Sequence, residues 1–133
     1  MKTLLMIKPD AVAAGHVGDI LWLVEKNRFA IRRLAKTQFS RESAERFYAV
    51  HRERPFFKDL VAYITSGPVV AIEIEADEAV SRIREFIGAT NPADARPGTV
   101  RYMFGKSLQN NAVHGSDAAE NAQKELEIVF GGA

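Results

Sequence analysis

The stretch from Val69 to Glu75 limits the fold more than any other part of the chain. Val70, Ile72 and Ile74 alternate with Glu73 and Glu75, and turn signals stand on either side, Gly67-Pro68 before and Asp77 after. Period-two alternation gathers apolar side chains on one side of an extended chain, so this run predicts a strand with Glu73 and Glu75 on its solvent side. A lone strand is unstable in water and must find partners. Lys2 to Ile7 reads as a buried strand ended by Pro9, which disfavours helix at Lys8 and leaves that lysine at the strand end. Phe29 to Phe39 favours β structure but alternates imperfectly around Arg32-Arg33, which predicts a half-exposed strand with an irregularity.

Helical spacing fills the intervals. Val17, Ile20, Leu21 and Val24 recur at helical steps after the loop glycines Gly15 and Gly18, and the helix should fray near Asn27. Ser40 can cap a helix with Ala44, Phe47, Tyr48 and His51 on one face, bounded by Pro55. A shorter helix carries Phe57, Leu60, Val61 and Ile64. Asp77 is placed to cap another, whose inner stripe is Val80, Ile83 and Ile87 and which Gly88 closes. Ala89 to Asn110 has no sustained period and is broken by Pro92, Pro97, Gly98 and Gly105; a loop of that length in a small domain is usually functional. With a brief strand at 111–113 and a final helix, the order is β-α-β-α-α-β-α-loop-β-α. It suits an α+β, ferredoxin-like sandwich, βαββαβ, with a four-stranded antiparallel sheet and helices on one face. No linker or repeat divides the chain, so residues 1–133 are expected to form a single domain.

Composition then narrows the function classes. A chain of 133 residues, 47% of them apolar, can bury a proper core. The absence of cysteine excludes disulfides and thiolate metal sites, and three scattered histidines offer no ligand spacing, so any metal must arrive with a substrate. The apolar run Thr3 to Ile7 is too short for a signal segment or a membrane span, which predicts a cytoplasmic protein. The net charge of +1, with basic residues concentrated in the first half, is a moderate field and not a nucleic-acid footprint.

The chemistry concentrates in Asn111-Ala112-Val113-His114-Gly115-Ser116-Asp117. A short strand, a glycine exit and a Ser-Asp pair able to cap the next helix would set the imidazole against a helix N-terminus, which attracts phosphate. Histidine, with an unperturbed pKa of about 6.5, offers a neutral nucleophilic nitrogen at physiological pH. The competing reading is a histidine that merely satisfies a turn. Other motifs carry less. Gly105-Lys106-Ser107 ends like a phosphate loop, but Val100 stands where the required glycine should be. Asp77-Glu78 and Glu73/Glu75 read as a helix cap and a strand's solvent face. His16 and His51 read as packing residues, and Trp22, Phe47, Phe57 and Phe86 as core.

Six segments, taken together and in order, resemble the nucleoside diphosphate kinase family: Lys8-Pro9-Asp10, Arg54-Pro55-Phe56-Phe57, Ser66-Gly67-Pro68-Val69, Gly88-Ala89-Thr90-Asn91-Pro92-Ala93-Asp94, Pro97-Gly98-Thr99-Val100-Arg101 and His114-Gly115-Ser116-Asp117. The resemblance spans nearly all the chain. It implies the ferredoxin-like fold and transfer of a terminal phosphate from a nucleoside triphosphate to a nucleoside diphosphate, by a ping-pong route through a phosphohistidine. On the matching positions, His114 would be the nucleophile, Glu125 would orient its imidazole, and Ser116 would support the catalytic end. Arg84, Thr90 and Arg101 would bind phosphates, with Tyr48 assisting; Lys8 and Asn111 would bond the sugar hydroxyls. Phe56 and Leu108 would clamp the base without reading its edge, which implies broad base specificity. Mg2+ would bridge the phosphates of the nucleotide, with Asp117 at most an indirect contact and no metal ligand from the protein itself.

The resemblance further implies a homo-oligomer, and Pro92 in the long loop with the short C-terminus motivates the expectation of a dimer-based tetramer or hexamer with that loop at subunit contacts. Departures are visible: Ala89 stands where many relatives have glutamate, Tyr102-Met103-Phe104-Gly105 is unusual, and the chain ends at Gly131-Gly132-Ala133, short of an extension that longer members use between subunits. Two other classes stay open on the sequence. A phosphocarrier would use the same histidine without residues gathered for a nucleoside, and an RNA-binding module would share the sheet but show aromatic residues where Leu5, Ile7, Val70 and Ile72 stand.

Overall fold

The computed structural model describes residues 1–131; Gly132 and Ala133, the end of the terminal segment noted above, lie outside the described residues. Four strands, β1 (Lys2–Ile7), β2 (Ala30–Thr37), β3 (Val69–Glu75) and β4 (Val113–Gly115), form one sheet in the order β2-β3-β1-β4. All three pairings are antiparallel, and the expected irregularity in β2 is a register shift between Ile31 and Arg33. The helices are α1 (Pro9–Ala13), α2 (Val17–Lys26), α3 (Arg41–Phe47), α4 (Phe57–Ile64), α5 (Ala79–Ile87), α6 (Val100–Phe104) and α7 (Ala119–Phe130). The path β1-α2-β2-β3-α5-β4 is the ferredoxin-like α+β arrangement.

Helices cover both sheet faces rather than the single face expected. Ile20 and Val24 of α2 and Ile83 and Ile87 of α5 pack on Leu5, Ile7, Ile72 and Ile74. On the opposite face Ala44, Phe47, Val61, Ile64 and Leu126, from α3, α4 and α7, pack on Leu4, Met6, Val69 and Ala71. The two central strands are therefore buried on both sides, and Glu73, expected in solvent, is only 3% exposed. Its carboxylate survives there because Arg33 on β2 bonds it with both arms, Nε at 3.1 Å and Nη2 at 3.0 Å. A buried carboxylate without such a partner would cost several kcal/mol, roughly. Glu75 does reach solvent and pairs with Arg32 at 2.6 Å, which holds its carboxyl below the usual range.

Local chemistry explains the other differences. Ser40 caps α3 as expected, its hydroxyl accepting the Ser43 N–H at 3.0 Å. The helix stops at Phe47, however, so His51 stands in a separate 3-10 turn, Ala49–His51. Asp77 does not cap α5: the chain enters through Glu78, in a left-handed conformation with φ of 49° and no side-chain cap. The stretch expected as a plain loop contains a 3-10 turn, Pro92–Asp94, and α6, which Thr99 caps through its side chain. Pro9 opens the unexpected α1, since a proline's missing N–H costs nothing in a first helical turn.

Candidate functional site

Among the described residues β4 is the shortest strand of the sheet and an edge strand, paired only with β1, which places His114 opposite Met6. Its imidazole is part-buried, with Nε2 at 2.8 Å from Glu125 Oε1. An ionised carboxylate only accepts hydrogen bonds, so Nε2 carries the hydrogen and Nδ1 keeps a lone pair. The same Oε1 accepts the Ser116 hydroxyl at 2.6 Å. Phe47 stands edge-on to the imidazole, centroids 5.1 Å apart, so the ring is held by a carboxylate on one edge and an aromatic wall.

The sequence expected Ser116 and Asp117 to cap the last helix with the imidazole at its N-terminus. Neither holds. The helix begins at Ala119 with no side-chain cap, and His114 meets its middle through Glu125. Ser116 instead donates its hydroxyl to the carboxylate, a charge-assisted hydrogen bond stronger than the neutral one a cap would make. Asp117 accepts from Asn121 Nδ2 at 2.6 Å, a contact that holds its carboxyl below the usual range, and its side chain stays exposed.

A cleft of about 1010 Å3 opens beside the imidazole. It is lined by Lys8, Tyr48, Phe56, Arg84, Thr90, Arg101, Leu108 and Asn111, together with His114 and Glu125. All the residues assigned from the sequence are thus brought together except Ser116, which lies fully buried behind Glu125. Volumes in this range hold small-molecule ligands.

The cations are held in place by neutral acceptors. Lys8 Nζ donates to Asn111 Oδ1 at 2.8 Å and to the Gln109 carbonyl at 3.3 Å, and Asn111 Nδ2 donates to the Thr90 carbonyl at 2.9 Å. Burial lowers the Lys8 ammonium to about 8; Asp10 opposes that shift and Arg101 adds to it. Arg101 donates to the carbonyls of Gly88 and Val113, both at 2.9 Å, while its Nε is buried without a partner among the described residues. Burial, with Arg84 nearby, lowers this guanidinium to about 10, and it stays charged at neutral pH. Two glycines make the hold possible. Gly88 has φ of 93°, and a Cβ there would strike Thr99; a Cβ on Gly105 would lie 2.7 Å from the Arg101 carbonyl and from Pro92.

Phe56 and Leu108 stand open, 44% and 62% exposed, on the cleft rim. Tyr48 is buried, and that burial, with Glu125 nearby, pushes its hydroxyl pKa up, so it serves as a neutral donor. Some residues of the site escaped the sequence reading. Phe47 was assigned to the core and is core, but its helix position also makes it the wall of the imidazole. His51, set aside as packing, lies 5.5 Å from the Phe56 ring and lines the cleft. No local pattern marks either role; Phe47 meets His114, and His51 meets Phe56, only in the folded chain.

The profile of the nucleoside diphosphate kinase family matches residues 1–133. The chain belongs to that family. Nucleoside diphosphate kinases of Nitratiruptor sp. and Campylobacter jejuni are 52% and 54% identical over 129 residues, 97% of this chain and 94% of each relative. Among solved structures, the Aquifex aeolicus nucleoside diphosphate kinase is 44% identical with a TM-score of 0.94, covering 97% of this chain and 94% of its own. A Halobacterium salinarum nucleoside diphosphate kinase in complex with CDP is 37% identical with a TM-score of 0.93, covering 98% of this chain and 87% of its own. The chain is thus a phosphotransferase acting on nucleotides. Among the described residues, no helix is long and apolar enough to cross a membrane.

Proposed function

We propose that this enzyme moves the terminal phosphoryl group from a nucleoside triphosphate to a nucleoside diphosphate through a phosphorylated His114. The observation that carries the reading is the hydrogen bond from His114 Nε2 to Glu125, which leaves Nδ1 as the nucleophile beside a cleft lined by Lys8, Arg84 and Arg101. Nδ1 attacks the terminal phosphorus, a P–N bond forms, and the P–O bond to the departing diphosphate breaks with its electron pair. The positive charge then spread over the imidazole is met by Glu125, itself steadied by Ser116. An acceptor diphosphate entering the same cleft reverses these bonds, which gives ping-pong kinetics.

Arg101, with Arg84 and Thr90, is assigned to the phosphates. Its guanidinium, which lines the cleft and stays charged at neutral pH, supplies positive charge where negative charge must be met. Tyr48 assists there as a neutral donor. Lys8 and Asn111 are assigned to the sugar hydroxyls, and Phe56 with Leu108 to the faces of the base. Apolar contact with a base face discriminates weakly, which supports broad base specificity. The Halobacterium relative was solved in complex with CDP, which is in keeping with acceptance of a pyrimidine nucleotide.

Magnesium enters with the nucleotide as part of the substrate. The exposed Asp117 carboxylate lines the cleft and is held ionised, which suits a contact through water rather than direct ligation. We assign the enzyme to the cytoplasm, where nucleoside triphosphates are made and used, and to a dimer-based tetramer or hexamer. Among the described residues nothing pairs with the outer edge of β2, and Leu34 on β2 and Trp22 on α2 are 50% and 59% exposed, features that a subunit contact covers.

The test is incubation with a nucleoside triphosphate and magnesium without acceptor, followed by intact-mass measurement. One phosphate per chain, labile in acid and stable in base, is expected on His114 and absent from His114→Ala. Chasing it with purine or pyrimidine diphosphates should discharge it at similar rates. Label on Ser116, or turnover surviving in His114→Ala, overturns the mechanism, and discharge by one base alone overturns the specificity.

A further inference from the structure

Ala112, between Asn111 and the first residue of β4, is fully buried and has φ of 76°. The Asn111 carbonyl accepts the Val113 N–H at 2.9 Å, so Ala112 is the centre of a γ-turn of the positive-φ kind, which is rare and strained for a residue with a Cβ. Such a conformation persists only where its surroundings hold it. Both of its peptide groups are held. The Ala112 carbonyl accepts the Lys8 N–H at 2.8 Å, and the Ala112 N–H donates to Asp10 Oδ2 at 3.1 Å.

Asp10 does more than receive that one bond. Its other oxygen, Oδ1, accepts the hydroxyl of Tyr63 from α4. The Tyr63 ring lies beneath Lys8 Nζ, 5.0 Å from its centroid, and Nζ in turn donates to Asn111. One carboxylate at the start of α1 therefore ties α4 to the turn before β4, and the loop closes through Lys8 and Asn111. Asp10 is no member of the cleft lining, and no part of the mechanism above uses it.

We propose that Asp10 is a positioning residue for the phosphoryl transfer: it holds the strained turn at Ala112, and so fixes Asn111, Lys8 and the His114 strand relative to one another. Without the clamp the turn relaxes to negative φ. The Asn111 amide then swings, Lys8 loses its acceptor, and β4 shifts against β1. Displacements of about 1 Å at a reacting group cost on the order of a hundredfold in rate. The inference rests on the phosphohistidine reading of His114.

A rescue experiment separates this role from simple folding. Glycine takes positive φ freely, so it needs no clamp. The rate of phosphoenzyme formation, and kcat and KM for an acceptor diphosphate, are measured with melting temperatures for the wild type, Asp10→Ala, Asp10→Asn, Ala112→Gly and Asp10→Ala/Ala112→Gly. Asp10→Ala should lose roughly ten- to hundredfold in phosphorylation rate. Asp10→Asn keeps an acceptor for the Ala112 N–H and should stay within about threefold of the wild type. Ala112→Gly in the Asp10→Ala chain should recover at least about fivefold. If the alanine chain does not fold, Asp10→Ser, whose hydroxyl is too short to span both donors, takes its place under the same criteria. An Asp10→Ala rate within twofold of wild type overturns the proposal, and so does a loss that glycine at 112 leaves untouched. A wild-type chain that carries no phosphate on His114 overturns the reading of the site and this inference with it.

Discussion

Glu73 and Lys8 are both charged groups buried at the central strands, yet they are satisfied in opposite ways. Glu73 meets a guanidinium with two parallel hydrogen bonds, and Arg33 also lies 4.4 Å from the centroid of the Phe130 ring, so the charge is neutralised within the fold. Lys8 and Arg101 are buried to a similar degree, but their direct hydrogen bonds go to an amide oxygen and to backbone carbonyls. Neutral acceptors fix the geometry of a cation without cancelling its charge. The first arrangement spends its electrostatics on holding β2, β3 and α7 together; the second leaves a positive field for a polyanion that is not part of the chain. Burial alone does not distinguish a structural charge from a functional one. The identity of the partner does.

Removing one member from each region breaks the comparison in different observables. Arg101→Ala should lower kcat about a hundred- to a thousandfold, because its charge matters most where negative charge builds in the transition state. Its melting temperature should fall as well, because the Gly88 and Val113 carbonyls lose their donor, so the loss of kcat is the observable that sets it apart. Steady-state kinetics with parallel thermal melts check both, and an unchanged kcat would remove Arg101 from the phosphate site. Arg33→Ala should lower stability and spare activity. It strands the buried Glu73 carboxylate and should lower the urea midpoint, an effect moderated because Arg33 is itself about one-third exposed. Its kcat/KM should stay within about threefold, and urea titration beside the kinetic assay reads the contrast.

The smallest effect sharpens the comparison through pH. In the folded chain Lys8 releases its proton near 8, whereas unfolded it does so near 10.5. Between those values the unfolded state binds more protons, so this group makes stability rise with pH across the window, by at most about 1.4 kcal/mol per pH unit. Lys8→Met should flatten that rise in the nucleotide-free protein, as read by urea titrations from pH 8 to 10. A slope identical to the wild type would mean that the ammonium is not held at the cost of stability.

Much of the architecture was legible because it depends on local rules. Apolar periodicity located β3 and most helices, β propensity placed β1 and β2, and Ser40 marked its helix start. The Arg32-Arg33 interruption announced the register shift in β2, whereas the last strand lies at Val113–Gly115 and not at the 111–113 expected. The failures share a cause. Alternation at Glu73 looked like a solvent-facing strand because a single chain cannot announce that α7 will cover that face and that Arg33 will be waiting there. Ser116 and Asp117 have the composition of a helix cap, but a carboxylate nine residues away from Ser116 in sequence offered a better partner than the local backbone. The missed α6 lies between breakers that propensity reads as loop, and it forms around Arg101 and the glycines that let it dock.

The residue types of the site, and the order in which they occur, are properties of the chain itself. A histidine, two guanidiniums, a lysine and an asparagine can be named from covalent chemistry, and the family resemblance rests on six segments in their order. Which imidazole nitrogen is free, which cations stay uncompensated and why Ala112 holds a conformation suited to glycine are properties of the tertiary fold. Each depends on groups brought within about 3 Å from far along the chain, as Glu125 is to His114, Gly88 to Arg101 and Asp10 to Ala112. Hydrogen bonds of that length are set by packing, and local sequence carries no record of the distance.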